Sequence, residues 1–309
     1  MKKIIALLII AGCLPAHAEF GVSAGATFNY KANFRSAPIP GAAVAGVDHI
    51  YDDGYNRVDS SVNAGNQTTY WGYQNPSQYD PAGDGGNGTI TMNSVSDSSA
   101  SQEEAQPAVE IYWQHDLTEN ERWNFGVRTA FRWQRIELDN TPITIADEYS
   151  LPPNTAVVPA VPTLPMGAPF NGSFFGPSVF LSDTPVRSTG IGHNTMEADL
   201  FGFDFGPTLS LTLTEKLRLT ASAGGTVAWI RSDYSYEAGV LGRGTDREED
   251  WLCGAYASAD LSYLIGERWG IFGGAAYTRL EDFDQQVDGR SAELEFGDSY
   301  TVRAGFFFR

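Results

Sequence analysis

The chain has 309 residues, with 20 Lys+Arg against 38 Asp+Glu and a formal net charge of −18. So acidic a chain lacks the basic patches that nucleic-acid phosphates require, and no nucleic-acid partner is expected. Its two cysteines, Cys13 and Cys253, are too few for a cysteine metal cluster; neither a metal nor a cofactor is expected.

Lys2 and Lys3 precede an apolar run over 4–14 that is too short to cross a bilayer as a helix, and Ala16-His17-Ala18 follows with small residues at the two positions a signal peptidase reads. This is a secretory leader over 1–18, with one domain expected over 19–309. A competing reading makes Ile10-Ala11-Gly12-Cys13 a lipoprotein box with a lipidated Cys13. Without Lys2 and Lys3 the balance falls to 18 basic against 38 acidic residues. Nowhere later is there a run of about 18 apolar residues, the length a transmembrane helix needs.

Alternation begins at once. Phe20, Val22, Ala24, Ala26, Phe28, Tyr30, Ala32 and Phe34 share one face of an extended chain, and Gly21, Ser23, Gly25, Thr27, Asn29, Lys31 and Asn33 the other. Period two over fifteen residues predicts a strand. Six more such segments follow. They are marked by Val109–Ile111–Trp113, by Trp123–Phe125–Val127–Phe131–Trp133, and by Phe201–Phe203–Phe205–Leu209–Leu211. Then come Leu217–Leu219–Ala221–Ala223–Val227–Trp229, Trp251–Cys253–Ala255–Ala257–Ala259–Leu261–Tyr263, and Trp269–Ile271–Ala275–Tyr277. An eighth carries Leu294, Phe296, Tyr300, Val302, Ala304, Phe306 and Phe308 on one face, opposite Glu295, Arg303 and Gly305.

The connections alternate as well. Tight turns over 116–122, 212–216 and 265–268 separate long ones over 34–107, 139–195, 237–250 and 280–291. Eight strands, short turns on one side and long loops on the other predict an all-β fold: an antiparallel up-and-down transmembrane β-barrel with long extracellular loops, the largest at 35–106 and 139–195. Ten strands are the alternative, with a further hairpin from 67–74 and 89–95.

Tryptophan spacing agrees. Trp123 and Trp133 share a face ten residues apart, which on a tilted strand climbs roughly 25 Å, the height of an apolar band. Trp113, Trp123, Trp133, Trp229, Trp251 and Trp269 are the expected aromatic girdle. The opposite face carries Glu110, Arg128, Arg132, Asp204, Arg218, Asp260, Glu295 and Arg303. These are too many ionisable groups for the core of a soluble sandwich, the competing architecture, because buried charges need partners; they are the expected lumen charge network.

The strand pattern, the turn alternation and the C-terminal stretch resemble the small outer-membrane barrels of the OmpA and OmpX type. The ending Tyr300, Val302, Ala304, Phe306, Phe308 looks like the stretch that the outer-membrane barrel assembly machinery reads, with Arg309 a departure, since such strands usually end on the aromatic. The resemblance implies location in the bacterial outer membrane, contact with its lipid, and no catalytic residues. It covers the strands and not the loops.

The loops carry what is specific. Residues 35–106 are rich in Gly, Asn, Ser and Asp around Tyr51, Tyr55, Tyr70, Trp71 and Tyr73, a chemistry suited to an extracellular glycan or protein, though a self-packed loop has the same composition. Residues 80–88 resemble a glycine-aspartate calcium turn without its repeat or full ligand set. The second loop combines Pro152, Pro153, Pro159, Pro162, Pro165 and Pro169 with Phe170, Phe174, Phe175 and Phe180, and is expected to lie over the barrel mouth. Catalysis finds little support: the mature histidines are His49, His115 and His193, and no His-x-Ser pair lies on a strand. The leading function is therefore a non-enzymatic, membrane-anchored scaffold displaying surface loops. A narrow porin-like channel, a lipid-modifying outer-membrane enzyme and a soluble periplasmic protein are the alternatives.

Overall fold

The computed structural model describes residues 18–36, 48–58, 68–73, 76–84, 87–101, 105–118, 120, 122–151, 157–158, 174–175, 185–288 and 290–309. Residues 1–17 of the expected leader and the proline-rich part of the second loop lie outside these. Eight strands close into one antiparallel barrel. In chain order they are β1 (Ala18–Phe28), β2 (Gln106–Asp116), β3 (Trp123–Asn140), β4 (His193–Thr212), β5 (Leu217–Glu237), β6 (Arg243–Leu264), β7 (Trp269–Leu280) and β8 (Ser299–Phe308). Each pairs with its neighbours in sequence, and β1 closes on β8 with Phe20 opposite Phe308 and Phe28 opposite Tyr300. Closure leaves no free edge at this level, the condition for strands to exist in lipid.

The outer face is apolar and open. Phe205 is 66% exposed, Phe306 59% and Val302 58%. A soluble protein would cover such a continuous belt. The inner face is polar and buried, with Glu110, Arg128, Asp204, Asp260 and Arg303 all shielded from solvent. Two inward aromatics lie flat over glycines of the neighbouring strand. A Cβ on Gly21 would sit 2.2 Å from the Tyr112 ring, and one on Gly270 would sit 2.5 Å from Phe307. Those glycines are what allow Tyr112 and Phe307 to fill the narrow interior.

The barrel has a tall and a short side. Strands β3 to β6 run 18 to 22 residues, whereas β1, β2, β7 and β8 run 10 to 12. On the short side each strand resumes after a break. Phe283–Val287, Arg290–Glu295, Lys31–Arg35 and Ser98–Ser101 form a second sheet whose order continues that of β7, β8, β1 and β2. The sequence pattern predicts single strands through the breaks in β1 and β8, and the structure corrects it. Asn29 takes φ 78°, a left-handed conformation that asparagine tolerates. Its Nδ2 donates to the Asp298 carbonyl at 2.7 Å, so the breaks in β1 and β8 are tied together.

The break turns the chain over. Phe28 and Tyr300 face outward, but Tyr30, Ala32, Phe34, Leu294 and Phe296 face inward. They join Ile136, Leu138, Met196, Leu200, Ile230, Tyr234 and Leu252 in an apolar core above the polar lumen. The same inversion occurs on the tall wall without a break. On β3 the outward residues change from Phe131 and Trp133 to Arg135, Glu137 and Asp139, while the inward ones change from Arg132 and Gln134 to Ile136 and Leu138. Below this level the protein is apolar outside and polar inside; above it the arrangement is that of a water-soluble barrel.

Two further sheets lie in the long connections. One orders Val186–Ile191, Ile143–Leu151, Asn87–Val95 and Tyr79–Asp84; the other orders Val157–Val158, Phe174–Phe175, Thr68–Tyr73, Gly54–Val58 and Asp48–Tyr51. The ten-strand alternative is thereby corrected. Both candidate segments are strands, but they belong to two different outer sheets and not to the barrel, which closes without them. In the stretch that resembles a calcium turn, Asp80 pairs with Thr89 and Asp84 with Asn87, and 85–86 lie outside the described residues. The expected loops at 237–250 and 280–291 are also mostly strand, because β6 begins at Arg243 and 283–295 folds into the second sheet as a hairpin.

Candidate functional site: the sealed lumen and its outer rim

Four of the eight residues expected in the lumen form a closed ring. Glu110 on β2, Arg128 on β3, Asp260 on β6 and Arg303 on β8 reach the barrel axis from four different strands. Arg128 donates to Glu110 at 2.7 Å and to Asp260 at 2.7 Å. Arg303 donates to Glu110 and, through Nη2, to Asp260 at 2.9 Å. Each carboxylate therefore bridges both guanidinia. Exposure is 4% for Glu110, 3% for Arg128, 4% for Asp260 and 6% for Arg303, and the Arg128 guanidinium lies 3.9 Å over the Tyr112 ring. Two positive and two negative groups balance, which is what lets them share a site nearly free of water.

Arg132 and Asp204 form a second pair at 3.8 Å one layer up, with Arg132 also donating to Thr278 at 2.9 Å. Arg218 lies lower, donating to Asp116 at 2.8 Å and Ser210 at 2.6 Å, with Glu19 at 3.8 Å. Glu295 is placed elsewhere, a correction. It sits in the second sheet above the barrel, half-buried, where its Oε1 accepts from Asn33 at 2.6 Å. Counting by twos from Arg303 reaches Glu295, but 296–298 break the strand between them.

Sequence reasoning missed Glu19, Asp116 and Arg309. The Arg309 guanidinium donates to Glu19 at 2.8 Å, and its backbone N–H bonds the Arg268 carbonyl. The residue that departs from the usual aromatic ending thus joins the two ends of the barrel wall. Glu19 was legible, since alternation puts it on the face of Gly21 and Ser23. Asp116 was hidden by its place at a turn.

Above the ring, Gln134 bonds Tyr30 and Thr27, and Thr27 bonds Thr301 at 2.8 Å. The apolar core follows immediately. The lumen is filled by ring, polar layer and apolar layer in succession.

On the outside, all six expected girdle tryptophans project from the barrel wall. Trp123 and Trp269 lie toward the short turns, with Trp113 on the same flank opposite Phe20. Trp133, Phe201, Trp229 and Trp251 stand in register across β3 to β6. The next outward row is Arg135, Asp199, Arg231 and Glu249. Tyr300, Val302, Ala304, Phe306 and Phe308 all face outward on β8.

Of the histidines, His115 stacks against Trp113 on the lipid side and His193 lies 3.9 Å from Asp139 on the open outer wall. Both members of the latter pair are more than half exposed, and His193 lines an open cavity with Tyr236, Glu237 and Arg243. Among the described residues no group of three metal-ligating side chains occurs.

In the outer sheets, Tyr51 donates to Asp147 at 3.2 Å beside Tyr149, and Arg187 clasps Asp147 at 2.6 and 2.7 Å. Burial first, then Tyr149 and Asp147, hold the Tyr51 hydroxyl well above its ordinary value. Asp53, buried beside these, is pushed up to about 6 by desolvation, against the opposing pull of two hydrogen bonds from Asn93.

No family model matches the sequence, and no curated protein matches it. Among solved structures the chain is similar to the outer-membrane protease OmpT from Escherichia coli, at 10% identity over 95% of this chain and 97% of that one, with a TM-score of 0.39. It is also similar to Ail, the attachment invasion locus protein of Yersinia pestis, at 8% identity over 95% and 100% with a TM-score of 0.29. A third is the translocator domain of the autotransporter NalP from Neisseria meningitidis, at 10% identity over 100% and 94% with a TM-score of 0.25. Likenesses at this level say nothing about activity or ligand. The barrel class rests on the closed sheet and its two faces.

Proposed function

We propose that this chain is a bacterial outer-membrane barrel that holds a folded extracellular platform, with neither an open pore nor a catalytic centre. The inversion of faces carries the reading. An apolar belt surrounds a charge-balanced lumen, and directly above it the interior turns apolar while the wall turns charged. The first level suits lipid and the second suits water. Transport through the axis would require opening both the ion-paired ring and the apolar layer over it, and eight strands leave an interior that side chains fill. The partners this implies are outer-membrane lipid at the belt, the barrel assembly machinery at the outward face of β8, and an extracellular glycan or protein at the outer sheets. An exported chain fits a removable leader at 1–18.

Two measurements test this. The folded protein from the membrane fraction should run faster than its boiled form on a detergent gel. In planar bilayers it should show no steady porin-like conductance. A reproducible open pore would replace the scaffold reading with the channel, and a chain that stayed soluble with no mobility shift would remove the membrane.

A further inference from the structure

The outer sheet that carries Asn87–Val95 and Ile143–Leu151 has two edges of opposite character. One edge strand, Tyr79–Asp84, holds Pro81, which has no N–H, between Asp80 and Asp84, and its register shifts between those aspartates. A proline, charges and an irregular ladder are the usual devices that keep a sheet edge from pairing further. The other edge strand, Val186–Ile191, has none of them. It runs Val-Arg-Ser-Thr-Gly-Ile, all six residues are exposed, and among the described residues only Ile143–Leu151 pairs with it. Its one charge, Arg187, is turned back on Asp147 of the neighbouring strand at 2.6 and 2.7 Å. Val186 is 71% exposed and Ile191 79%. The strand also has a fixed direction. Asn140 opposite Asn194, the bond from the Gly192 N–H to the Pro142 carbonyl, and Ile143 opposite Ile191 carry the β3–β4 ladder outward without a change of register. Val186 is therefore the end farther from the barrel and Ile191 the nearer.

We infer that Val186–Ile191 is a self-recognition edge, which pairs antiparallel with the same strand of a second copy standing in a facing membrane. The inference deepens the platform reading above and rests on it. Side-chain order selects the partner. Pairing about a two-fold axis between Ser188 and Thr189 puts Val186 against Ile191 at both ends, Arg187 against Gly190, and Ser188 against Thr189. Each exposed apolar end covers the other, the hydroxyls meet, and no arginine faces an arginine. Such an interface is isologous, so one self-complementary stretch suffices. Any extended peptide can use the backbone of an open edge, but the side chains of this one match their own sequence reversed. Geometry selects the facing membrane. The two-fold axis of an antiparallel pair is normal to the sheet, so the copy's strand runs the opposite way. A strand that extends the barrel wall outward meets its inverse on a barrel that points toward it. The overlap is about 20 Å over six residues. One such contact is weak, and two surfaces carrying many copies multiply it. The net charge of −18 opposes approach, so pairing needs salt enough to screen it.

The test uses the full chain, purified and reconstituted in phosphatidylcholine vesicles at about 0.15 M salt, with vesicle clustering followed by light scattering. Wild-type vesicles should cluster. Ser188→Glu with Thr189→Glu places like charges opposite one another twice, and Ser188→Lys with Thr189→Lys does the same with the other sign. Vesicles of either variant should stay dispersed, and a mixture of the two should cluster. Both positions are exposed, so the fast-migrating folded form should persist in each variant. Register is read separately in a Cys253→Ser background. Val186→Cys vesicles mixed with Ile191→Cys vesicles should give disulfide-linked dimers under mild oxidation, because opposed residues lie within disulfide reach. Either variant alone should give none, since like positions stand roughly 17 Å apart. Clustering that survives in the Glu variant, a Glu–Lys mixture that stays dispersed, or no clustering by folded wild type would overturn the self-recognition edge. Equal cross-linking by Val186→Cys alone would overturn the antiparallel register. A chain with no heat-modifiable form at all would instead defeat the membrane reading beneath it.

Discussion

The lower and upper halves of β3 obey opposite rules within one strand. From Trp123 to Gln134 the outward positions are apolar or aromatic, apart from Thr129, and the inward ones include Arg128 and Arg132. From Arg135 to Asp139 the outward positions are charged and the inward ones are Ile136 and Leu138. Pairing with β4 runs unbroken across the boundary, from Trp123 opposite Leu211 to Asn140 opposite Asn194, while pairing with β2 stops at Gln134 opposite Ala108, so the faces exchange character along one continuous strand. In lipid the hydrophobic effect gives the interior no advantage, and ion pairs hold it together. In water, apolar burial does.

The largest expected break in this comparison is at the ring. Glu110→Ala leaves Arg128 and Arg303 sharing one carboxylate in a buried site and should cost about 3–5 kcal/mol, seen as an earlier loss of the fast-migrating form in urea. Glu295→Ala, which sequence alone put in the same network, should cost far less. Equal costs would return Glu295 to the lumen. Next comes the lipid face. Ala257 is exposed on β6 opposite Ala223 and Tyr277, and Ala257→Arg should cost about 2–4 kcal/mol in a bilayer. Arg135, outward on the same side but above the aromatic row, is already a charge that the wall accommodates. If Ala257→Arg proved as harmless as Ser99→Arg in the second sheet, the belt would be misplaced.

A smaller, local effect concerns pH in the upper half. Asp53 is pushed up to about 6 from 3.8, so the folded protein holds this proton over a range where the unfolded chain has lost it. Stability of that corner should therefore be greatest at low pH and fall as pH rises through roughly 4 to 6. The protection of the Asn93 amide, its exchange rate relative to the base-catalysed intrinsic rate at the same pH, should be greater at pH 4.5 than at pH 7, and protection that does not change with pH would show that Asp53 is not buried as described. The smallest effect is at Arg35, more than half exposed against Glu293. Arg35→Ala should change stability by no more than about 1 kcal/mol, and the change should vanish at high salt, because an exposed pair is screened. A loss as large as that of Glu110→Ala would mean that the second sheet is as dry as the lumen.

Much of the membrane level was legible. Alternation located all eight barrel strands and put the six tryptophans on one wall, because side chains on a strand change face at every residue. The upper level was less so, and Glu295, Tyr30 and Phe34 show why. Their parity with Arg303 and Phe28 is unbroken in the sequence, yet Asn29 and 296–298 turn the chain over between them. A break that preserves parity leaves no trace in an alternating pattern.

The sequence by itself left eight strands against ten, and determined the period and the existence of one polar and one apolar face below the rim. It could do so because those follow from local geometry and from lipid as solvent. Only the tertiary structure decided that Glu110, Arg128, Asp260 and Arg303 meet, since barrel closure brings together residues as far apart as 110 and 303. It also decided that Arg309 reaches back to Glu19 and that two would-be barrel strands belong to outer sheets. Contacts of that separation depend on which edges pair, and pairing is settled by the whole sheet closing at once.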